Sequence, residues 1–212
     1  MRHQMTDSRI ADLLRPFLAE SGLSEHQMGA IRIYLELLLK WNAKLNLTAI
    51  RDPEEIVTRH FGESLFAARQ FFPSGDSDSS AIDIGSGAGF PGLPMKLWAP
   101  SLQLTLVESN QRKATFLREA VRALGFSSAV VRSERAEAIS EPADLVTFRA
   151  VEQFEQILPV AIKLVKPGGR IGMLIGEQQV ELAHSLSNLR WSEPVPIPSS
   201  RNRVALLGKK QD

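Results

Sequence analysis

A parallel β-sheet wrapped by helices and preceded by a helical N-terminal segment is the α/β fold this sequence predicts. Three observations predict it. From residue 81 onward short apolar strand candidates alternate with helical stretches. A glycine-rich turn, Gly85-Ser86-Gly87-Ala88-Gly89, follows the first strand candidate directly. Residues 6 to 71 carry apolar side chains at helical rather than alternating spacing.

The first helix is expected from Thr6 to Ser21, with Ile10, Leu13, Leu14, Phe17 and Leu18 on one stripe, Pro16 in its interior and Gly22 as its stop. The second starts at Ser24, whose hydroxyl can cap the first turn while Gln27 reaches back. It buries Met28, Ile31, Leu35 and Leu38 and should end near Trp41. Asp52-Pro53-Glu54-Glu55 supplies a cap, a proline at the first helical position and acids in the first turn, opening a helix through Phe71. The run Pro73-Ser74-Gly75-Asp76-Ser77-Asp78-Ser79-Ser80 is rich in turn formers and lacks apolar anchors. The chain therefore divides into a helical extension (1–72), a linker without packing of its own (73–80) and an α/β domain (81–212). In that domain strands are expected at Ala81 to Ile84, Leu102 to Val107, Ala129 to Val131, Leu145 to Phe148 and Arg170 to Ile175, with helices at 91–98, 110–124 and 152–165. Lys166-Pro167-Gly168-Gly169 reads as a turn before the fifth strand, and Val204 to Gly208 as a last strand at or inside the sheet edge.

Composition closes several functional classes. The chain has 212 residues, a formal net charge of +1 and no cysteine, with 43% hydrophobic and 23% charged residues. Disulfide scaffolds, thiolate zinc sites and cysteine nucleophiles need the absent sulfur. No apolar run approaches the roughly 18 residues of a membrane-spanning helix, so no membrane partner is expected, and no metal. Arg2, Asp7, Arg9 and Asp12 interrupt the start of the chain, leaving no signal-peptide core of about 7 to 15 apolar residues. A cytoplasmic location is the expectation. Nothing in the sequence sets an oligomeric state.

The glycine turn carries the chemistry. A dinucleotide fingerprint G-x-G-x-x-G would place glycine at position 90, where the chain has Phe90. Asp83 followed by Gly85, Gly87 and Gly89 instead resembles motif I of the class I S-adenosyl-L-methionine-dependent methyltransferases, a Rossmann-like fold. A nicotinamide site and a purely structural glycine turn are the competing readings. Glu108 ends the second strand, where a carboxylate can accept hydrogen bonds from both hydroxyls of a ribose. After the fourth strand the chain reads Thr147-Phe148-Arg149-Ala150, not the Asn/Asp-Pro-Pro-Tyr/Phe element typical of exocyclic-amine methyltransferases. RNA cytosine-C5 methyltransferases of the known class need a cysteine nucleophile, and the chain has none. An acceptor that already owns a free lone pair would require neither device.

Lys40-Trp41-Asn42, Asn46-Leu47-Thr48, Arg51-Asp52-Pro53, Arg59-His60, the run from Asp83 to Gly92, and Arg149-Ala150 occur in the order seen in the RsmG (glucose-inhibited division protein B) family, and the resemblance spans residues 10 to 208. The resemblance implies methylation of N7 of one guanine, guanine 527 in the usual RNA numbering, of 16S ribosomal RNA or the small ribosomal subunit. It implies cofactor contacts at Gly85, Phe90, Glu108, Ala136, Glu137 and Arg149. It also meets a departure: where the family carries a lysine before the glycine that ends the fifth strand, this chain has Ile175. A methyltransferase acting on a small molecule or protein, and a ribosome-binding module without turnover, remain the alternatives.

Guanine N7 is unprotonated, so no general base is nominated. Candidate RNA contacts are Arg59 and His60, the cations Arg112, Lys113, Arg118 and Arg122 on one helix, and Arg201, Arg203, Lys209 and Lys210 near the C-terminus. Trp41, Phe61 and Phe90 are candidates for stacking a base. Arg149 should be paired or touch a ligand, because a buried charge must do one or the other.

Overall fold

The structure is a computed structural model and describes residues 5–150, 153–185 and 189–211. Helix α1 (Asp7–Leu18) is capped by the Thr6 hydroxyl, which accepts from the Arg9 N–H. It is shorter than predicted, because Ala19 adopts a left-handed φ of 50° and takes over the stop assigned to Gly22. Helix α2 (Glu25–Leu45) has the reciprocal Ser24–Gln27 capping box and runs past Trp41. Its end is set by Asn46, in the left-handed region at φ 47°. The turn is then held by Asn42, which accepts from the Thr48 N–H at 2.9 Å and donates to the Ile50 carbonyl at 3.2 Å.

The predicted helix from Asp52 to Phe71 is present but not uniform. Asp52 caps α3 (Pro53–Ile56), the six residues Val57–Gly62 form a π-helical segment, and α4 (Glu63–Phe71) completes it. Such wide turns change which side chains face the core without ending the helix, and spacing rules built on 3.6 residues do not report them. Phe61 and Leu65 stay fully buried across the junction.

Five parallel strands follow: β1 (Ser80–Ile84), β2 (Gln103–Val107), β3 (Ala129–Arg132), β4 (Ala143–Arg149) and β5 (Val165–Gly176). Three more were not predicted as such or only in part: β6 (Leu189–Trp191), β7 (Val195–Pro196) and β8 (Arg203–Lys210). The sheet order is β3-β2-β1-β4-β5-β8-β6, with β7 also pairing β8. β8 runs antiparallel between β5 and β6, inside the edge. The predicted turn at Lys166 to Gly169 lies within β5, where it produces a register shift against β4 between Ala143 and Leu145. Helices α5 (Gly92–Trp98), α6 (Gln111–Ala123), α7 (Phe154–Lys163) and α8 (Val180–His184) connect the strands. The expected start of α7 at residue 152 lies outside the described residues.

One face of the sheet is covered by α7 and α8; the other packs in a single apolar cluster with α1, α2, α4, α5 and α6. Ile10, Leu14, Tyr34 and Phe61 of the N-terminal helices thus share a core with Leu93, Leu106, Phe116 and Leu145. The run between the two parts is tied down as well: the Asp76 carboxylate accepts from the backbone and hydroxyl of Ser101, both at 2.9 Å. No helix of the described residues is long and apolar enough to cross a membrane.

Candidate active site

Strand order reverses between β2 and β4 around β1, so a crevice opens at the carboxyl ends of β1 and β4, the place where open α/β sheets bind ligands. The glycine loop forms its first wall. Gly85, Gly87 and Gly89 have φ of 65°, 55° and 92°, conformations that L side chains rarely adopt. Two of these glycines serve different sides of the loop. A Cβ on Gly89 would collide with the Tyr34 hydroxyl and Leu93, so this glycine exists for the core. A Cβ on Gly87 would meet only the Gly85 carbonyl, at 3.7 Å, so this stretch of backbone borders open space.

Glu108 sets the loop's position. Its carboxylate, 7% exposed at the end of β2, accepts from the Gly87 N–H at 2.9 Å and the Asn110 N–H at 2.7 Å. Each oxygen retains acceptor capacity, so a ribose can be held by a group whose orientation is already fixed. Beneath the loop, Asp83 accepts from the Gly92 N–H at 3.1 Å, and its other oxygen is buried without a partner. Burial pushes the Asp83 carboxyl up to about 7, against the opposing effect of the Ser86 and Gly92 hydrogen bonds. Ala136 and Glu137 lie on a 3-10 turn after β3, Ala136 buried and Glu137 exposed.

The second wall is built around Arg149 at the end of β4. One terminal nitrogen contacts His60 Nδ1 at 3.0 Å; the other donates to the Arg59 carbonyl at 2.6 Å and to Glu63 Oε2 at 3.1 Å. Arg203, from β8, donates to the other oxygen of the same Glu63. Glu63 is 2% exposed; burial pushes its carboxyl up, and Arg149 and Arg203 pull it back. Burial brings the Arg149 guanidinium down to about 10. Because Arg149 donates to Nδ1, the His60 proton sits on Nε2, which donates to the Thr48 hydroxyl at 2.8 Å. Burial and the neighbouring Arg149, Arg59 and Arg203 hold the imidazole down at about 3, so it is neutral at physiological pH.

A cavity of about 550 Å³ opens beside this cluster. It is lined by Arg59, Arg149, Arg201 and Arg203, by Gln178, Gln179 and Asn202, and by residues at the end of β5. The turn that leads into β8 is held by a Glu177 N–H bond to the Asn202 carbonyl at 3.0 Å and by Arg203 Nε on the Ser200 hydroxyl at 3.3 Å.

Comparison with known proteins places this geometry. Residues 27–193 match the family described as rRNA small subunit methyltransferase G. The chain belongs to that family. A relative from Stenotrophomonas maltophilia named ribosomal RNA small subunit methyltransferase G is 46% identical over 208 residues, covering 94% of this chain and 95% of its own length. The protein of the same name from Roseiflexus castenholzii is 38% identical and covers 87% of this chain and 84% of its own. Among solved structures, an O-methyltransferase from Bacillus cereus in complex with SAH has a TM-score of 0.61 at 16% identity, covering 84% of this chain and 90% of that one. A ribosomal protein L11 methylase from Lactobacillus delbrueckii gives 0.60 at 12% identity, covering 73% and 80%. These likenesses show the class I methyltransferase fold.

Within this member of the methyltransferase G family the predicted residues separate into groups. Gly85, Gly87, Gly89 and Glu108 converge on one wall, Arg59, His60 and Arg149 on the other. Phe90 and Phe61 do not offer a free face for stacking a base. Phe90 is sandwiched between Tyr34 at 5.2 Å and His60 at 4.9 Å, and Phe61 is fully buried in T-shaped contact with both Tyr34 and Phe90. Trp41 packs edge-on to Phe116. His60 is half-buried and engaged on both nitrogens and through its ring. Arg112, Lys113, Arg118 and Arg122 ride on α6, which packs against α2 and the edge strand β3, away from the arginine cavity. Lys210 is committed to the Ile162 and Val165 carbonyls. Ile175, where the resemblance led to the expectation of a lysine, is 3% exposed in the core against α7 and α8 while bordering the cavity.

Sequence reasoning missed Glu63, Gln178 and Gln179. A glutamate in the middle of a helix has no local signal of burial, because its two arginine partners are 86 and 140 positions away.

Proposed function

We propose that this chain transfers the methyl group of S-adenosyl-L-methionine to N7 of a single guanine, guanine 527 in the usual numbering, of 16S small-subunit ribosomal RNA in the cytoplasm. The observation that carries the reading, beside family membership, is the junction at the carboxyl end of the sheet. An open glycine loop with an oriented Glu108 lies at β1 and β2, and a basic cavity of nucleotide size lies at β4 and β5.

The residues fit this cofactor: the backbone at Gly87 is open to a ligand, Glu108 keeps acceptor capacity for ribose hydroxyls, and Asp83 presents a buried unpartnered oxygen. When bound, S-adenosyl-L-methionine supplies a methyl group on a positively charged sulfur. The chain's own contribution is positioning. Gly85, Gly87 and Glu108 hold the donor, and the arginine cavity receives RNA. N7 of guanine owns a free lone pair, so no side chain has to remove a proton. The site agrees with that, since its one histidine is held neutral and is hydrogen-bonded at both nitrogens. Gly85, Gly87, Gly89, Phe90, Glu108, Ala136, Glu137 and Arg149 make up the proposed cofactor side; for Phe90 the contribution is backbone and ring edge. Arg59 stands at the substrate side, and Arg112 and Lys113 are left as distal phosphate contacts.

Methylation at N7 fixes a positive charge on the imidazole ring and makes the nucleoside labile. After incubation of small-subunit RNA with the protein and S-adenosyl-L-methionine, borohydride and aniline should cleave at one position. Label on an exocyclic amine or a ribose, or preferential transfer to a protein or small molecule, overturns the assignment of acceptor. Cofactor binding without transfer to any acceptor would favour a non-catalytic ribosome-binding role.

A further inference from the structure

Arg149 and Arg203 share the single carboxylate of Glu63, so the buried cluster carries one positive charge more than it neutralises. Arg201 and Arg59 join them around the cavity. Arg59 has an exposed partner in Glu55, and none of the described residues lining the cavity is acidic. A surplus of buried positive charge is costly unless an anion answers it. The donors to meet one are present. Arg203 engages one N–H on Glu63 and Nε on Ser200, leaving its remaining terminal N–H groups free, and Gln178 and Gln179 add amides on the same wall.

Resting on the function proposed above, we infer that this cavity is a built phosphate site. Arg201 and Arg203, backed by Arg149, grip a phosphate of the RNA backbone next to the target guanosine, and so fix the base relative to the glycine loop. The fork of a guanidinium matches two phosphate oxygens, and several such forks on one concave wall recognise a phosphodiester rather than a flat base edge. The site belongs to three distant segments: Glu63 on α4, Arg149 at the end of β4, and the turn from Ser199 to Arg203. The Glu63 carboxylate lies behind the two guanidinia, where it positions them without reaching the cavity lining. A second anion with the same chemistry is the carboxylate of the cofactor, and the test separates the two.

Guanosine and guanosine 5′-monophosphate serve as probes, titrated into the full chain saturated with S-adenosylhomocysteine. The monophosphate should bind about tenfold or more tighter than the nucleoside, in line with a charge-assisted bidentate contact. Arg201→Gln, an exposed position, and Arg203→Gln should each erase most of that preference while leaving affinity for S-adenosylhomocysteine unchanged. Thermal melts confirm that both variants fold; Arg201→Gln, which breaks no buried pair, carries the result if Arg203→Gln does not. Equal binding of the two probes to the parent overturns the inference, as does a phosphate preference that survives in Arg201→Gln. A parallel loss of S-adenosylhomocysteine affinity overturns it in favour of the cofactor carboxylate. If the parent methylates small-subunit RNA but shows no phosphate preference, the cavity assignment alone fails. If it methylates no RNA, the underlying function fails.

Discussion

The two walls of the crevice are made in opposite ways. The glycine wall is backbone, drawn from residues 83 to 92 of one continuous loop plus Glu108, and its hydrogen bonds join main-chain N–H groups to carboxylates. The arginine wall is side chains, drawn from the turn after Asn46, the π-helical segment, α4, β4 and β8, and linked as Thr48–His60–Arg149–Glu63–Arg203. A backbone site can be written in a short motif, whereas a side-chain network needs the whole fold to close. The N-terminal helices therefore do more than cover the sheet: they supply the residues that hold Arg149.

If that contrast is right, the largest effect should come from Glu63→Ala. It would leave two guanidinia without their shared carboxylate, one of them in a side chain only 8% exposed, and should cost about 3 to 5 kcal/mol of stability in urea unfolding. A loss below about 1 kcal/mol would mean that the arginine wall is held by packing alone.

The walls should also respond oppositely to pH. Asp83 is raised from 3.8 to about 7, so between those values the folded protein keeps a proton that the unfolded chain has released, and stability falls as pH rises through that window. His60 is lowered from 6.5 to about 3, so the unfolded chain takes up a proton that the folded protein does not, and stability falls as pH drops from 6.5 toward 3. Asp83→Asn should accordingly gain on the parent by a few kcal/mol more at pH 8 than at pH 4, on the scale of about 1.4 kcal/mol per unit. A constant offset across that range would break the assignment.

On the glycine wall, Glu108→Ala should weaken S-adenosylhomocysteine binding by about 1.5 to 3 kcal/mol in calorimetry, with Glu108→Asp milder. Unaltered affinity would make Glu108 a brace for the loop and nothing more. The smallest effect is expected from Gly87→Ala, where there is room for the methyl group but the backbone remains left-handed, a strain of roughly 1 to 2 kcal/mol. Gly89→Ala should lower the melting temperature further than Gly87→Ala, because its Cβ meets Tyr34 and Leu93; the reverse order would contradict the division of labour between the two glycines.

By itself the sequence determined what depends on neighbours along the chain. Ser24 with Gln27, Asp52 with Pro53, and the glycines after β1 each specify a local backbone state through residues a few positions apart, and all three are found as read. The alternation of apolar runs settled the parallel sheet, and Glu108 was legible from its place after β2. Tertiary structure alone decided the end of α2 at Asn46, the π-helical turn over Val57–Gly62, the short strands β6 and β7, the burial of Phe90 in the core, and the stacking of His60 on that ring. It also decided that Glu63, rather than any conspicuous motif residue, holds the arginine wall together. The physical reason is common to these cases. Each depends on which distant groups arrive beside a residue and strip it of water, and burial of that kind leaves no periodic trace in the chain that carries it.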